Sequence, residues 1–83
     1  MEFRVYVIIE MPIIDKKVEL LIPADRRMHD ILNVLKRAFP SLNDGYYKNN
    51  IPLFYRKING EVISNNSIVK DAKIKNGTRL VLV

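Results

Sequence analysis

The sequence predicts an α+β domain in which a mixed sheet of four to five strands carries one helix packed across one face. Three observations predict it. Two N-terminal segments alternate apolar and polar residues around a proline, the period-2 mark of paired, half-buried strands. A single stripe of apolar residues then recurs every three or four positions and stops at a second proline. The rest consists of short strand-like runs punctuated by Asn-Gly pairs, a strong hairpin signal. With 83 residues and 9.7 kDa, the chain is sized for one domain, residues 1–83, without room for a cleft between two.

Residues 2–10 place Phe3, Val5, Val7 and Ile9 on one face and Glu2, Arg4, Tyr6, Ile8 and Glu10 on the other. Met11-Pro12-Ile13-Ile14-Asp15 interrupts the strand as a turn, because Pro12 cannot donate to a ladder. Residues 16–22 alternate again, with Val18, Leu20 and Ile22 toward the core, and close a hairpin. Pro23-Ala24-Asp25 ends it, and Asp25 is placed to N-cap a helix of about sixteen residues. Met28, Ile31, Leu32, Leu35, Ala38 and Phe39 form its apolar stripe, and Pro40 stops it by disfavouring helical geometry at Phe39.

Residues 40–50 are a loop by composition. Residues 51–58 read as a strand with an edge or irregular start at Pro52. Asn59-Gly60 predicts a two-residue type I′ turn, which needs positive φ at both positions. Glu61-Val62-Ile63 returns as a short strand. Residues 64–73 are irregular around one helical turn at Ile68-Val69, Asn76-Gly77 turns once more, and residues 78–83 form the closing strand.

Composition excludes several chemistries. There is no cysteine, so disulfide scaffolds, thiolate metal sites and cysteine nucleophiles are ruled out. The single histidine, His29, has no partner at metal-ligand spacing and reads as a surface residue of the helix. The three glycines are isolated, each explained by a turn, and assemble no phosphate loop. No carboxylate pair converges on one predicted face, so neither catalysis nor a cofactor is expected. The N-terminus alternates and carries charge, unlike a signal peptide, and no apolar run approaches the ~20 residues of a spanning helix. A cytoplasmic protein without direct membrane insertion is expected. The net charge of +5 favours an acidic partner.

Two stretches carry a family resemblance. Lys17-Val-Glu-Leu-Leu-Ile-Pro-Ala-Asp25, leading into Met28, Ile31 and Leu35, resembles the second strand and helix entry of ubiquitin. Ile68-Val-Lys-Asp-Ala-Lys-Ile-Lys-Asn-Gly-Thr-Arg-Leu-Val-Leu-Val83 resembles its last turn and strand. The layout is thus similar to the ubiquitin-like β-grasp fold. Its Asp71–Leu80 segment is most similar to the bacterial YukD/EsaB group, ubiquitin-like proteins associated with type VII (WXG100) secretion systems. That resemblance implies a secretion-machinery component as protein partner. Ubiquitin-type modifiers end in a flexible Gly-Gly tail, whereas here Arg79–Val83 falls inside the closing strand. A non-conjugating role is expected unless a tail follows residue 83.

In this arrangement the helix covers one sheet face and leaves the other open. Phe3, Val5, Val7, Val18, Leu20, Leu80 and Leu82 are assigned to the helix side. Arg4, Tyr6, Ile8, Leu21, Arg79, Val81 and Val83 then face outward, with Tyr6, Ile8, Val81 and Val83 expected as a contiguous apolar contact patch. The position nearest the central isoleucine of ubiquitin falls at Arg56 or Lys57, so readers of ubiquitin itself are not expected to recognise this face; with Arg4, Lys57 and Arg79 as a basic rim, it suits an acidic partner. The turn at 11–14 is a second candidate, because Met11 and Ile13 are apolar where hairpin tips are usually polar; the alternative is that Ile13 or Ile14 folds back onto the core rim. A competing function, a stand-alone domain binding RNA or other nucleic acid, rests on Tyr46-Tyr47-Lys48 and the scattered cations Arg26, Arg27, Lys70, Lys73 and Lys75.

Overall fold

The computed structural model describes residues 3–83. Its strands are β1 (Arg4–Met11), β2 (Lys16–Pro23), β3 (Phe54–Arg56), β4 (Val62–Ile63) and β5 (Thr78–Leu82), and its helix is α1 (Met28–Ala38). The sheet order is β2-β1-β5-β3-β4. β1 pairs antiparallel with β2 and parallel with β5, while β3 lies antiparallel to both β5 and β4. The expected mixed sheet with one helix across it is therefore present. Glu2, which the alternation places on the outer face, lies outside the described residues.

The pleat decides which side chains meet the helix. Val7, Ile9 and Met11 of β1, Ile22 of β2, Phe54 of β3 and Leu80 and Leu82 of β5 are buried beneath Met28, Ile31, Leu32 and Leu35 of α1. Each such side chain contributes about 1.5–3 kcal/mol of transfer free energy. Val5, Val18 and Leu20 pack at the margin. Phe3 departs from its assignment to the helix side: it precedes β1 and is 75% exposed, so the packed stripe begins at Val5.

The helix also starts later than expected. Asp25 does not cap it; the N-cap is Arg27, which makes no side-chain capping bond. The reason is long-range pairing with residues 65–70. Val69 and Lys70 donate their N–H groups to the carbonyls of Arg26 and Ala24, which holds residues 24–27 out of the helix. In turn, the first helical N–H groups, Met28 and His29, donate to the carbonyls of Ser67 and Asn65. Backbone carbonyls thus satisfy donors that a capping side chain would otherwise serve. At the other end, Pro40 stops the helix as expected.

Three further segments differ from the sequence reading. The strand expected over 51–58 is confined to Phe54–Arg56, although Leu53 and Val83 exchange both backbone hydrogen bonds just before it. The β3–β4 turn is not type I′, because only Gly60 takes a positive φ, at 71°. Arg56 closes the turn instead, its N–H donating to the Glu61 carbonyl and its carbonyl accepting from the Gly60 N–H, so residues 57–60 form a longer loop. The 40–50 loop folds as two 3-10 turns, Pro40–Asn43 and Gly45–Lys48, which bury Leu42 and Tyr47. Residues 68–73 keep one helical turn, closed by Ala72 donating to the Ile68 carbonyl.

Candidate protein-interaction face

Alternation along the strands leaves a sheet face that α1 does not cover, and the register orders its side chains into rows. Tyr6 lies opposite Leu21. Ile8 lies between Glu19 and Arg79. Glu10 lies between Lys17 and Val81, and the row continues through Tyr55 to Val62. Tyr6, Ile8, Val81 and Val83 are half-buried, whereas Leu21 and Val62 are 59% and 52% exposed. Arg4 is exposed at the start of β1, opposite Pro23, and Arg79 is exposed on β5. The structure thus brings Arg4, Tyr6, Ile8, Arg79, Val81, Val83 and Lys57 onto one face.

The face is not the contiguous apolar patch expected. Glu10 of β1 and Lys57, just past β3, meet across β5 with their charged groups 2.6 Å apart. This bridge runs between a Tyr6–Ile8–Leu21 group and a Tyr55–Val62–Val81 group. The hydrogen bond from Lys57 holds the Glu10 carboxyl below its ordinary 4.5. On the other flank, partial burial raises the Tyr6 hydroxyl, aided by a hydrogen bond with Glu19. The face is therefore amphipathic, with one ion pair, Glu10–Lys57, running through it.

The 11–14 turn is corrected in part. Met11 is fully buried, because β1 runs on to pair Met11 with Lys16 and the alternation carries its side chain into the core with Val7 and Ile9. It cannot belong to a contact surface in this conformation. Ile14 packs on the core margin, and Ile13 remains 44% exposed within the 3-10 turn Pro12–Ile14. The aromatic pair expected for base stacking is divided as well. Tyr47 is 6% exposed and donates its hydroxyl to the Leu82 carbonyl, while Tyr46 stands edge-on to it, half-exposed. His29 is exposed on α1, and its ring hydrogen-bonds the Asn33 amide.

Sequence reasoning missed Tyr55, Val62 and the Glu10–Lys57 bridge. The first two had a signal: Phe54 and Ile63 are apolar anchors on either side of a turn, and alternation from them sends Tyr55 and Val62 outward.

No helix of the described residues is long and apolar enough to cross a membrane. No family model matches the sequence, and no curated protein is similar enough in sequence to match it. Solved structures do match over nearly the whole chain. The ubiquitin of Caldiarchaeum subterraneum superposes with a TM-score of 0.73 at 10% identity, covering 96% of this chain and 91% of that one. A structure described as molecular mimicry of SUMO that promotes DNA repair gives 0.69 at 15%, covering 96% and 90%. The ubiquitin-like domain of the Mycobacterium tuberculosis type VII secretion system protein EccD1 gives 0.66 at 20%, covering 98% of each. Sheet order, parallel β1–β5 pairing and the single helix agree with these likenesses: the chain has the ubiquitin-like β-grasp fold.

Proposed function

We propose that the protein is a non-enzymatic binding module of the cytoplasm that docks another protein on its open sheet face. The observation that carries this reading is the face itself. Tyr6, Ile8, Tyr55 and Val81 expose apolar surface on a rigid sheet, framed by Arg4, Lys57 and Arg79. A partner with apolar and acidic groups complements it, and the net charge of +5 speeds the encounter. We further infer that it serves a type VII secretion system as an accessory or regulatory component of the YukD/EsaB kind. The sequence resemblance at Asp71–Leu80 and the likeness to the EccD1 ubiquitin-like domain support that finer reading.

A pull-down from lysate of the source organism, comparing wild type with the Ile8→Asp/Val81→Asp double variant, tests it. Recovery of a secretion-machinery component by wild type and its loss in the folded double variant is the expected result. Nuclease-sensitive nucleic acid held equally by both proteins would overturn it in favour of nucleic-acid binding.

A further inference from the structure

Where β3 leaves the sheet, its following turn and the start of β5 border an open hollow of about 510 Å³, lined by Arg56, Lys57, Ile58, Asn76, Gly77, Thr78 and Arg79. Ile58 is 92% exposed, more than any other large apolar residue described, at a hairpin tip where a polar residue would cost nothing. Three cations share the hollow with it. Arg56 is held by Glu61 at 3.1 Å, and Lys57 by Glu10. Among the described residues, Arg79 has no carboxylate within ion-pair distance. The Glu10 carboxylate feels the Arg79 charge from a distance but does not pair with it, so the hollow presents a guanidinium with no directly bound carboxylate beside an unburied isoleucine.

Its walls are already fixed. Tyr6 donates its N–H to the Asn76 side chain and accepts from the Gly77 N–H, Lys75 donates to the Thr78 hydroxyl, and Lys57 donates to the Arg79 carbonyl. Gly77 sits at φ 86° with open space where a Cβ would stand, so its backbone leaves the floor clear. A ligand entering such a site has little ordering cost to meet.

We propose that this hollow is the specificity pocket for an acidic segment of a partner protein, which places one carboxylate against Arg79 and an adjacent apolar side chain over Ile58. The proposal rests on the protein-docking reading above and gives it a partner chemistry. A carboxylate fits the guanidinium bidentately, which a lysine at the same place could not offer. The charged partner must also carry an apolar residue, because a carboxylate alone would leave Ile58 in water. A nucleic acid fits less well, since no aromatic ring lines the hollow for base stacking.

The test is fluorescence anisotropy with a short labelled peptide alternating Asp and Leu, a second peptide with Asn at every Asp, and a single-stranded oligonucleotide of matched charge. Arg79→Glu and Ile58→Ser are the variants, and Ile58 is so exposed that its replacement leaves the fold intact. The Asp peptide is expected to bind, losing about tenfold with Arg79→Glu or with Asn for Asp, and about threefold with Ile58→Ser. Absence of peptide binding, indifference to both variants, or tighter binding of the oligonucleotide overturns the proposal. The same variants in the pull-down separate the two levels of the argument. A partner lost with Ile8→Asp/Val81→Asp but kept by Arg79→Glu and Ile58→Ser refutes this pocket and leaves the open-face reading standing. A partner kept by all of them refutes both.

Discussion

Glu10 lies on β1 and Lys57 just past β3, two strands that do not pair, yet their side chains join across β5 at 2.6 Å. The bond ties the β1–β2 half of the open face to the β3–β4 half and lies between the two apolar groups that a partner would cover. Both residues keep substantial exposure, so the pair organises the face more than it stabilises the fold.

A pH dependence follows from that pair. Glu10 has a carboxyl pKa below its ordinary 4.5 because Lys57 donates to the ionised form. Its contribution is therefore complete above the unfolded value and is lost as pH falls through the folded one. Lys57→Met is expected to lower the melting temperature slightly at neutral pH, and the gap from wild type should close once the pH drops well below 4.5. A gap that is constant across the titration would show that the pair makes no such contribution.

Met11, the last residue of β1, and Ile13, in the turn that follows, have opposite fates. Met11→Ala empties a fully buried site and is expected to cost about 2–5 kcal/mol. Ile13→Ala, at a position 44% exposed, is expected to change stability by no more than about 0.5–1 kcal/mol. Urea unfolding of the two variants measures the difference directly, and equal costs would contradict the placement of β1.

At the β3–β4 turn, Gly60 holds the positive φ alone. Gly60→Val is expected to cost about 1–2 kcal/mol, because a β-branched residue is strained in that region. Asn59 serves differently, its side chain accepting the Glu61 N–H at 2.9 Å. Asn59→Gly, which a type I′ turn would tolerate well, is expected to destabilise by about 0.5–1 kcal/mol through loss of that bond. Thermal unfolding of both variants distinguishes the observed turn from a two-residue one.

Tyr47 links the 40–50 loop to the last strand through its hydroxyl, 3.4 Å from the Leu82 carbonyl. At that length the bond sits at the weak end of the usual range, and Tyr47→Phe is expected to cost about 0.5 kcal/mol. Burial raises the hydroxyl above its ordinary 10.0, so the neutral form is favoured in the fold. That contribution is present below the unfolded value and lost as pH rises toward the folded one. Wild type should therefore lose stability more steeply than Tyr47→Phe when titrated above 10.0, with melting temperature as the readout.

The parts of the fold legible in the sequence are those whose signal is local. The β1–β2 hairpin announces itself through alternation on both sides of Pro12, and α1 through the Met28–Ile31–Leu32–Leu35 stripe. What was not legible depends on distant chain. Asp25 has the chemistry of an N-cap, but residues 24–27 are claimed by hydrogen bonds from 69 and 70. The Lys57 side chain finds Glu10 forty-seven residues away, a pairing no spacing rule could supply. Met11 was misplaced for a simpler reason: the strand was ended one residue early, and a single step in a pleat exchanges core for solvent. The candidate face was legible on β1 and β5, where alternation is long, and illegible on β3 and β4, where three- and two-residue strands carry too little pattern.

Tyr55 is the residue on which the protein-docking reading can be pressed hardest. It stands between Val81 and Val62 at the middle of the apolar group on the β3–β4 half, half-buried and aromatic, the type of side chain that dominates binding energy at interfaces. Tyr55→Ala is expected to weaken capture of the protein partner by about tenfold or more. Val62→Asp, at a 52% exposed position on the short edge strand, should weaken it as well without a core cost. Tyr46→Ala lies in the 3-10 turn Gly45–Lys48, off the sheet, and is expected to leave the partner's affinity unchanged. Titration of the recovered partner against the three folded variants measures each effect. Sensitivity to Tyr46 with indifference to Tyr55 and Val62 would move the contact from the sheet to the loop and favour the competing nucleic-acid reading.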